Sequence, residues 1–169
     1  MQRRFKFLRC FAYVLEILVL YIIQQTPDLP QLWGARPFLI IPVLFSVAML
    51  EDEMTGLGFG IFIGLLMDIS CGYVLGFHAI LLGLLGYFTG LLAVNLIKTN
   101  LLTVLLLTAA GVFLIGCLQF VFFYYFRQYG YEGYAFQHHY LPMMLYTFLP
   151  TPVLYFFNKA FAIAIRERE

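Results

Sequence analysis

At 169 residues, with 63% hydrophobic and only 11% charged side chains, the chain has the composition of an integral membrane protein. A helix needs about 20 residues to cross the hydrocarbon, so six would use about 120 and leave no room for a soluble catalytic module. A net charge of +1, with its basic residues gathered beside apolar runs, excludes a nucleic-acid-binding surface.

The chain reads as one membrane domain, 1–169, an all-α bundle of six transmembrane helices. The first is expected at about 7–24, preceded by Arg3, Arg4, Lys6 and Arg9. This start superficially resembles a signal peptide, but no small-residue cleavage site follows in Ile22-Ile23-Gln24-Gln25-Thr26-Pro27, so an uncleaved helix is expected. Thr26-Pro27-Asp28-Leu29-Pro30 breaks it into an external loop that carries Trp33, a side chain suited to the membrane interface. Helix two is expected at about 36–50, kinked by Pro42. Glu51-Asp52-Glu53 then forms an acidic turn, which a cytoplasmic position tolerates because Lys and Arg, not acids, set topology.

A Gly-rich helix three is expected at about 55–69, helix four at about 74–96 and helix five at about 100–126. The segment Arg127 to Tyr140, RQYGYEGYAFQHHY, reads as a long external polar loop whose tyrosines suit the interface. Helix six, at about 141–165, is interrupted by Pro150-Thr151-Pro152. Six crossings put Arg3, Arg4, Lys6, Arg9, Lys98, Lys159, Arg166 and Arg168 inside and only Arg36 and Arg127 outside, as basic residues prefer. Both termini are then cytoplasmic. They remain so if helices two and three form one re-entrant hairpin and the crossings fall to four.

Chemistry-bearing patterns are sparse. Cys10, Cys71 and Cys117 have neither metal-like spacing nor the count of a disulfide framework, and read as small packing residues. His138 and His139 are adjacent and point apart on any regular element, which argues against a metal site. Ser46 and Ser70, the two serines, have no catalytic partner near in sequence. No catalytic residue, cofactor site or metal site is expected, and no internal repeat supports an inverted-repeat transporter.

What stands out is Gly60 to Gly76, GIFIGLLMDISCGYVLG, with one acid, Asp68, between apolar runs. A carboxylate at mid-depth in a bilayer costs about 3 kcal/mol, and each glycine gives up about 1 kcal/mol of helix propensity relative to Ala. Gly56, Gly60 and Gly64 recur every four residues, the spacing that lets membrane helices approach closely, either within the chain or toward a partner helix. Asp68 can end helix three with Gly72 turning the backbone, hold an ion or proton, or lock neighbouring helices through backbone amides. Its position near the helix end, without a second acid or base nearby, favours a structural lock over a proton relay. His78 lies ten residues on, and a tight hairpin through Cys71 to Gly76 would let the two side chains meet and satisfy each other.

From Gly60 to Gly90 the chain resembles the rod shape-determining protein MreD family, whose pattern is a Gly-rich helix ending in Asp, a short turn, and Leu-Gly-His or similar opening the next helix. Gly64, Leu65, Asp68, Leu75, Gly76, His78 and Gly86 match that pattern, and Leu145 to Phe157, LYTFLPTPVLYFF, resembles the family's proline-interrupted last helix. The resemblance implies a non-enzymatic scaffold of the bacterial elongasome in the inner membrane, supporting rod shape and lateral peptidoglycan synthesis. It implies MreC as direct partner, with MreB, RodZ, a SEDS-type glycosyltransferase and a class B transpeptidase in the same complex. Gly56, Gly60, Gly64, Asp68, Gly72, Gly76, His78, Gly86, Pro150 and Pro152 are the candidate packing or partner-interface residues.

The family's kinship in fold with the substrate-binding subunits of energy-coupling-factor vitamin transporters supplies the alternative. The Tyr-rich segment would then be a lid. Helix one, however, has only Ala12 where such subunits carry an AxxxA docking pattern, and Ala160-x-x-x-Ala164 lies at the wrong end.

Overall fold

The computed structural model describes residues 2–26, 37–72, 74–95, 99–124 and 132–166, and among these every regular element is helical. In chain order they are α1 (Gln2–Gln25), α2 (Ile40–Leu50), α3 (Glu53–Cys71), α4 (Phe77–Asn95) and α5 (Leu101–Gln119), the last running on into a π-helical turn, Phe120–Tyr124. A short α6 (Glu132–Ala135) and a second π turn, Phe136–Tyr140, lead into α7 (Leu141–Phe148), and α8 (Thr151–Arg166) closes the described chain. Among the described residues, four stretches are long and apolar enough to cross a membrane: Lys6–Gln25, Glu53–Ser70, Phe77–Asn95 and Leu101–Phe123. Trp33, Arg36, Lys98, Arg127 and Arg168 lie outside the described residues.

The short helix α2 is the core. Ile40 through Met49 are all buried, and Ile40, Val43, Leu44 and Val47 are wholly enclosed. Around them Tyr13 and Ile17 of α1, Ile63 and Met67 of α3, Leu82 of α4 and Ile115 of α5 complete the main apolar cluster. A helix apolar all round belongs inside, and α2 is enclosed by its neighbours rather than by lipid. Eleven residues rise only about 17 Å, well short of the hydrocarbon thickness.

Two expectations are corrected here, and the interruption expected in helix six is found, as a full break. Helix two starts at Ile40, so Pro42 sits in its first turn and does not kink it. An N–H at that position has no partner within the helix, so proline removes no bond. The Arg127–Tyr140 segment is not a loop throughout, because Glu132 to Tyr140 is helical and continues into α7. Helix six is two helices: α7 ends at Phe148, and α8 starts at Thr151 with Pro152 in its first turn, where proline is tolerated.

The acids between α2 and α3, which matched no motif, hold the base of α1. Arg9 Nε lies 2.9 Å from Glu51 Oε1, with both side chains under one-tenth exposed. Tyr13 Oη donates to the same carboxylate at 3.4 Å, and exposed Lys6 pairs with Asp52. At the opposite end of α1, the Gln25 amide donates to Ser70 Oγ, and Ser70 donates to Tyr21 Oη at 3.0 Å. Helices α1 and α3 therefore run parallel, pinned at both ends.

Breaking a buried ion pair on one side costs about 3–5 kcal/mol, whereas an exposed pair contributes about 0–1 kcal/mol. Glu51→Ala is expected to lower the melting temperature of the detergent-solubilised protein strongly, and Asp52→Ala hardly at all. The double variant Arg9→Met, Glu51→Leu should melt above Glu51→Ala.

Candidate functional site

The α3–α4 hairpin holds the residues singled out in the sequence. Glycines on α3 face backbone on α4. A Cβ added at Gly56 would fall 2.5 Å from the Gly86 carbonyl oxygen, at Gly60 2.3 Å from that of Leu82, and at Gly64 2.3 Å from Ala79 Cα. Each four-residue step along α3 meets a step of three or four residues back along α4, so the seam is a regular antiparallel register. Gly90 extends it, a Cβ there lying 2.6 Å from Glu53 Cα. Without side chains between them the backbones come into van der Waals contact, the attraction that remains when lipid is as apolar as the helix surface. Along this seam the glycines meet α4 of the same chain.

The hairpin turns through Gly72 and Gly76, both at positive φ (64° and 99°), which L side chains rarely adopt. Gly72 ends α3 in the left-handed conformation, its N–H donating to the Asp68 carbonyl at 3.1 Å. The chain then enters α4, whose first N–H groups have no partner within that helix.

Asp68 supplies the partner from α3. Its Oδ2 accepts from Gly76 N–H at 2.7 Å and Ala79 N–H at 3.4 Å; its Oδ1 accepts from His78 N–H at 3.0 Å and from His78 Nδ1 at 2.6 Å. This is an N-cap delivered by a neighbouring helix, with the carboxylate at the positive end of α4. Asp68 and His78 are both buried, their side chains fully so.

One residue missed in the sequence completes the set. Gln119, the last residue of α5, donates from Nε2 to His78 Nε2 at 2.7 Å. With Nε2 accepting, the proton sits on Nδ1 and faces Asp68, which describes a neutral imidazole. The following π turn sets Phe123 beside the imidazole, stacked at 6.4 Å, and Phe77, the first residue of α4, lies edge-on to it at 5.1 Å. A lone amide in the apolar run after Asn100 was the available signal for Gln119. Glu16 in α1 and Asn158 in α8 carried the same kind of signal.

Chemically, the arrangement is closed. Both carboxylate oxygens are used by backbone and imidazole donors, and the chain of bonds ends at an amide that does not titrate. No group of three or more His, Cys, Asp or Glu that could hold a metal exists among the described residues. Pro150 and Pro152 lie apart from this site, at the α7–α8 break, where Leu154 N–H donates to the Pro150 carbonyl at 3.1 Å.

The resemblance seen in the sequence is borne out: a family model described as rod shape-determining protein MreD matches residues 1–163. No curated protein and no solved structure matches the chain, and the likeness in fold to energy-coupling-factor substrate-binding subunits is not supported by either comparison.

Two predictions follow from the hairpin geometry. Gly64→Ala should lower the melting temperature markedly, since overpacking costs about 1–3 kcal/mol and the obstacle here is backbone. Gly58→Ala, which meets nothing within 4 Å, should be neutral or stabilising by up to about 1 kcal/mol. Asp68→Asn retains one acceptor oxygen and should melt between wild type and Asp68→Leu. The leucine strands four donors, three of them buried and each of those costing about 1–3 kcal/mol. Equal melting of the two Asp68 variants would show that the acceptor is unimportant.

Proposed function

The chain belongs to the rod shape-determining protein MreD family, and on that premise we propose that it is a non-enzymatic membrane scaffold of the bacterial elongasome. In this role it binds MreC directly and supports rod shape and lateral peptidoglycan synthesis, in the same complex as MreB, RodZ, a SEDS-type glycosyltransferase and a class B transpeptidase. The observation that carries the reading is the family match over residues 1–163 of 169. The closed chemistry around Asp68 favours it, because those buried polar groups already satisfy one another and the start of α4.

The same reading places the chain in the inner membrane with six crossings and both termini in the cytoplasm, the short α2 lying on the segment that returns the chain between the parallel α1 and α3. It is favoured by the pairing of Lys6 and Arg9 with the Glu51–Asp52 turn, which puts the basic start of α1 and the α2–α3 connection at one end of the bundle.

The direct test is to affinity-tag the full chain in its own cells, solubilise it gently and identify what copurifies in stoichiometric amount. MreC is the expected product; ATPase and transmembrane coupling subunits, or a tightly bound vitamin, would overturn the reading. Depletion should convert rods to rounded cells with dispersed wall insertion, and unchanged shape would count against a scaffold.

A further inference from the structure

The carboxyl of Glu16 in α1 meets the side-chain amide of Asn158 in α8 through a hydrogen bond. Asn158 is wholly buried. Apart from that contact, Glu16 Oε1 and both amide atoms of Asn158 have no hydrogen-bond partner among the described residues. Each group therefore depends on the other. Glu16 is at the middle of the apolar stretch Lys6–Gln25, ten residues from its start and nine from its end. At 1.5 Å per residue, that is about 14–15 Å from either end, too deep for lipid headgroups or bulk water to complete the pair.

No described cation answers this carboxyl. The helices packed on α1 are α2, α3 and α8. Helix α2 has no titratable side chain, and α3 brings Glu53 in its first turn and Asp68 and Cys71 near its end. Helix α8 brings Tyr155, Lys159 and Arg166. Lys159 Nζ stands over the Tyr155 ring, 5.7 Å from its centroid, and Tyr155 packs with Met49 of α2 and Val104 of α5. Arg166 is about 12 Å further along α8 than Asn158, at 1.5 Å per residue. On α1 itself, Lys6 and Arg9 pair with Asp52 and Glu51, while Cys10, Tyr13 and Tyr21 carry no positive charge. The balance of donors points to the missing part. An ionised carboxylate only accepts, so it takes the Asn158 N–H and leaves the amide oxygen without a donor. A carboxylic acid donates its O–H to that oxygen while its other oxygen accepts the N–H, and every atom of the pair is bonded. One proton thus removes both an unbonded buried acceptor and an uncompensated charge at mid-depth.

We propose that Glu16 is a proton-binding site, and that the neutral acid–amide pair it forms with Asn158 clamps α1 to α8 at mid-bilayer until the proton is given up to base in solution. Loss of the proton sets a carboxylate oxygen against the amide oxygen, acceptor against acceptor. It also places a charge beside lipid, because Glu16 lines the apolar groove between α1 and α8.

The test is infrared spectroscopy of the purified full chain in lipid, with and without isotope-labelled glutamate, from neutral to strongly alkaline pH. At neutral pH the wild type should show a carboxylic-acid C=O band that moves with the glutamate label and is lost at alkaline pH. The band should be absent from Glu16→Gln and shifted to higher frequency in Asn158→Leu, where the acid has no amide to bond. Glutamate that shows only carboxylate bands at neutral pH overturns the proposal in the wild type, without any substitution. An acid band that survives Glu16→Gln also overturns it. Thermal melting tests the clamp. The folded chain holds one proton more than the unfolded chain, so stability falls as pH rises until the folded chain releases that proton too. The wild type should therefore lose melting temperature from neutral to alkaline pH. Glu16→Gln pairs with Asn158 without a proton to lose, and its melting temperature should fall less. Parallel curves for the two would overturn the clamp.

Discussion

A helix that begins inside a membrane protein presents N–H groups that neither its own backbone nor lipid can satisfy, and α4 begins this way. The constraint is met by Asp68, whose two oxygens gather the N–H groups of Gly76, His78 and Ala79 and the imidazole of His78. Much else depends on that carboxylate being in place. It fixes where α3 ends, how sharply the chain turns, and the register in which the glycines of α3 meet the backbone of α4. Through His78 it also reaches Gln119 and so ties the end of α5 to the hairpin. The charge is accommodated because every acceptor position is occupied by a donor held in place by backbone.

The opposite end of the bundle solves a related problem with a different device. Arg9 and Glu51 bury a pair of opposite charges where α1 meets the α2–α3 connection, with Tyr13 adding a donor to the same carboxylate. Between these two polar anchors lies the apolar α2, too short to span by itself and enclosed by the longer helices. Long-range bonds such as Phe38 N–H to Thr147 Oγ1, at 3.0 Å, bring the α7 end onto the entry to α2. Polar groups in this interior mostly answer one another, and Glu16 of α1 has its polar neighbour in Asn158 of α8.

Much of the hairpin was legible in the residues. The glycine spacing, the isolated acid and the histidine ten residues later pointed to a tight turn with the two side chains in contact, because all three lie within about twenty residues of one another and obey local helical geometry. Pro42 was misread because its effect depends on where the helix starts, and an apolar sequence carries no sharp start signal. The Tyr-rich segment was misread because its glycines and polar residues suggest a loop while neighbouring aromatic packing, such as Phe120 on Phe136 and Tyr140, accompanies a helical path. Gln119 and Glu16 were single polar residues in apolar runs, visible but without a partner assignable along the chain.

By itself the sequence determined the class of molecule, the family and the placement of its strongest turn. Hydrophobic length, basic flanks and small-residue spacing are local properties that survive any rearrangement of the helices. Only the tertiary structure decided that Glu51 belongs to Arg9, that Gln119 completes His78, that α2 is the enclosed core, and that Glu16 meets Asn158 across α1 and α8. Those are contacts between residues some forty positions or more apart. In lipid they are set by which helices can pack closely enough to bring donor to acceptor.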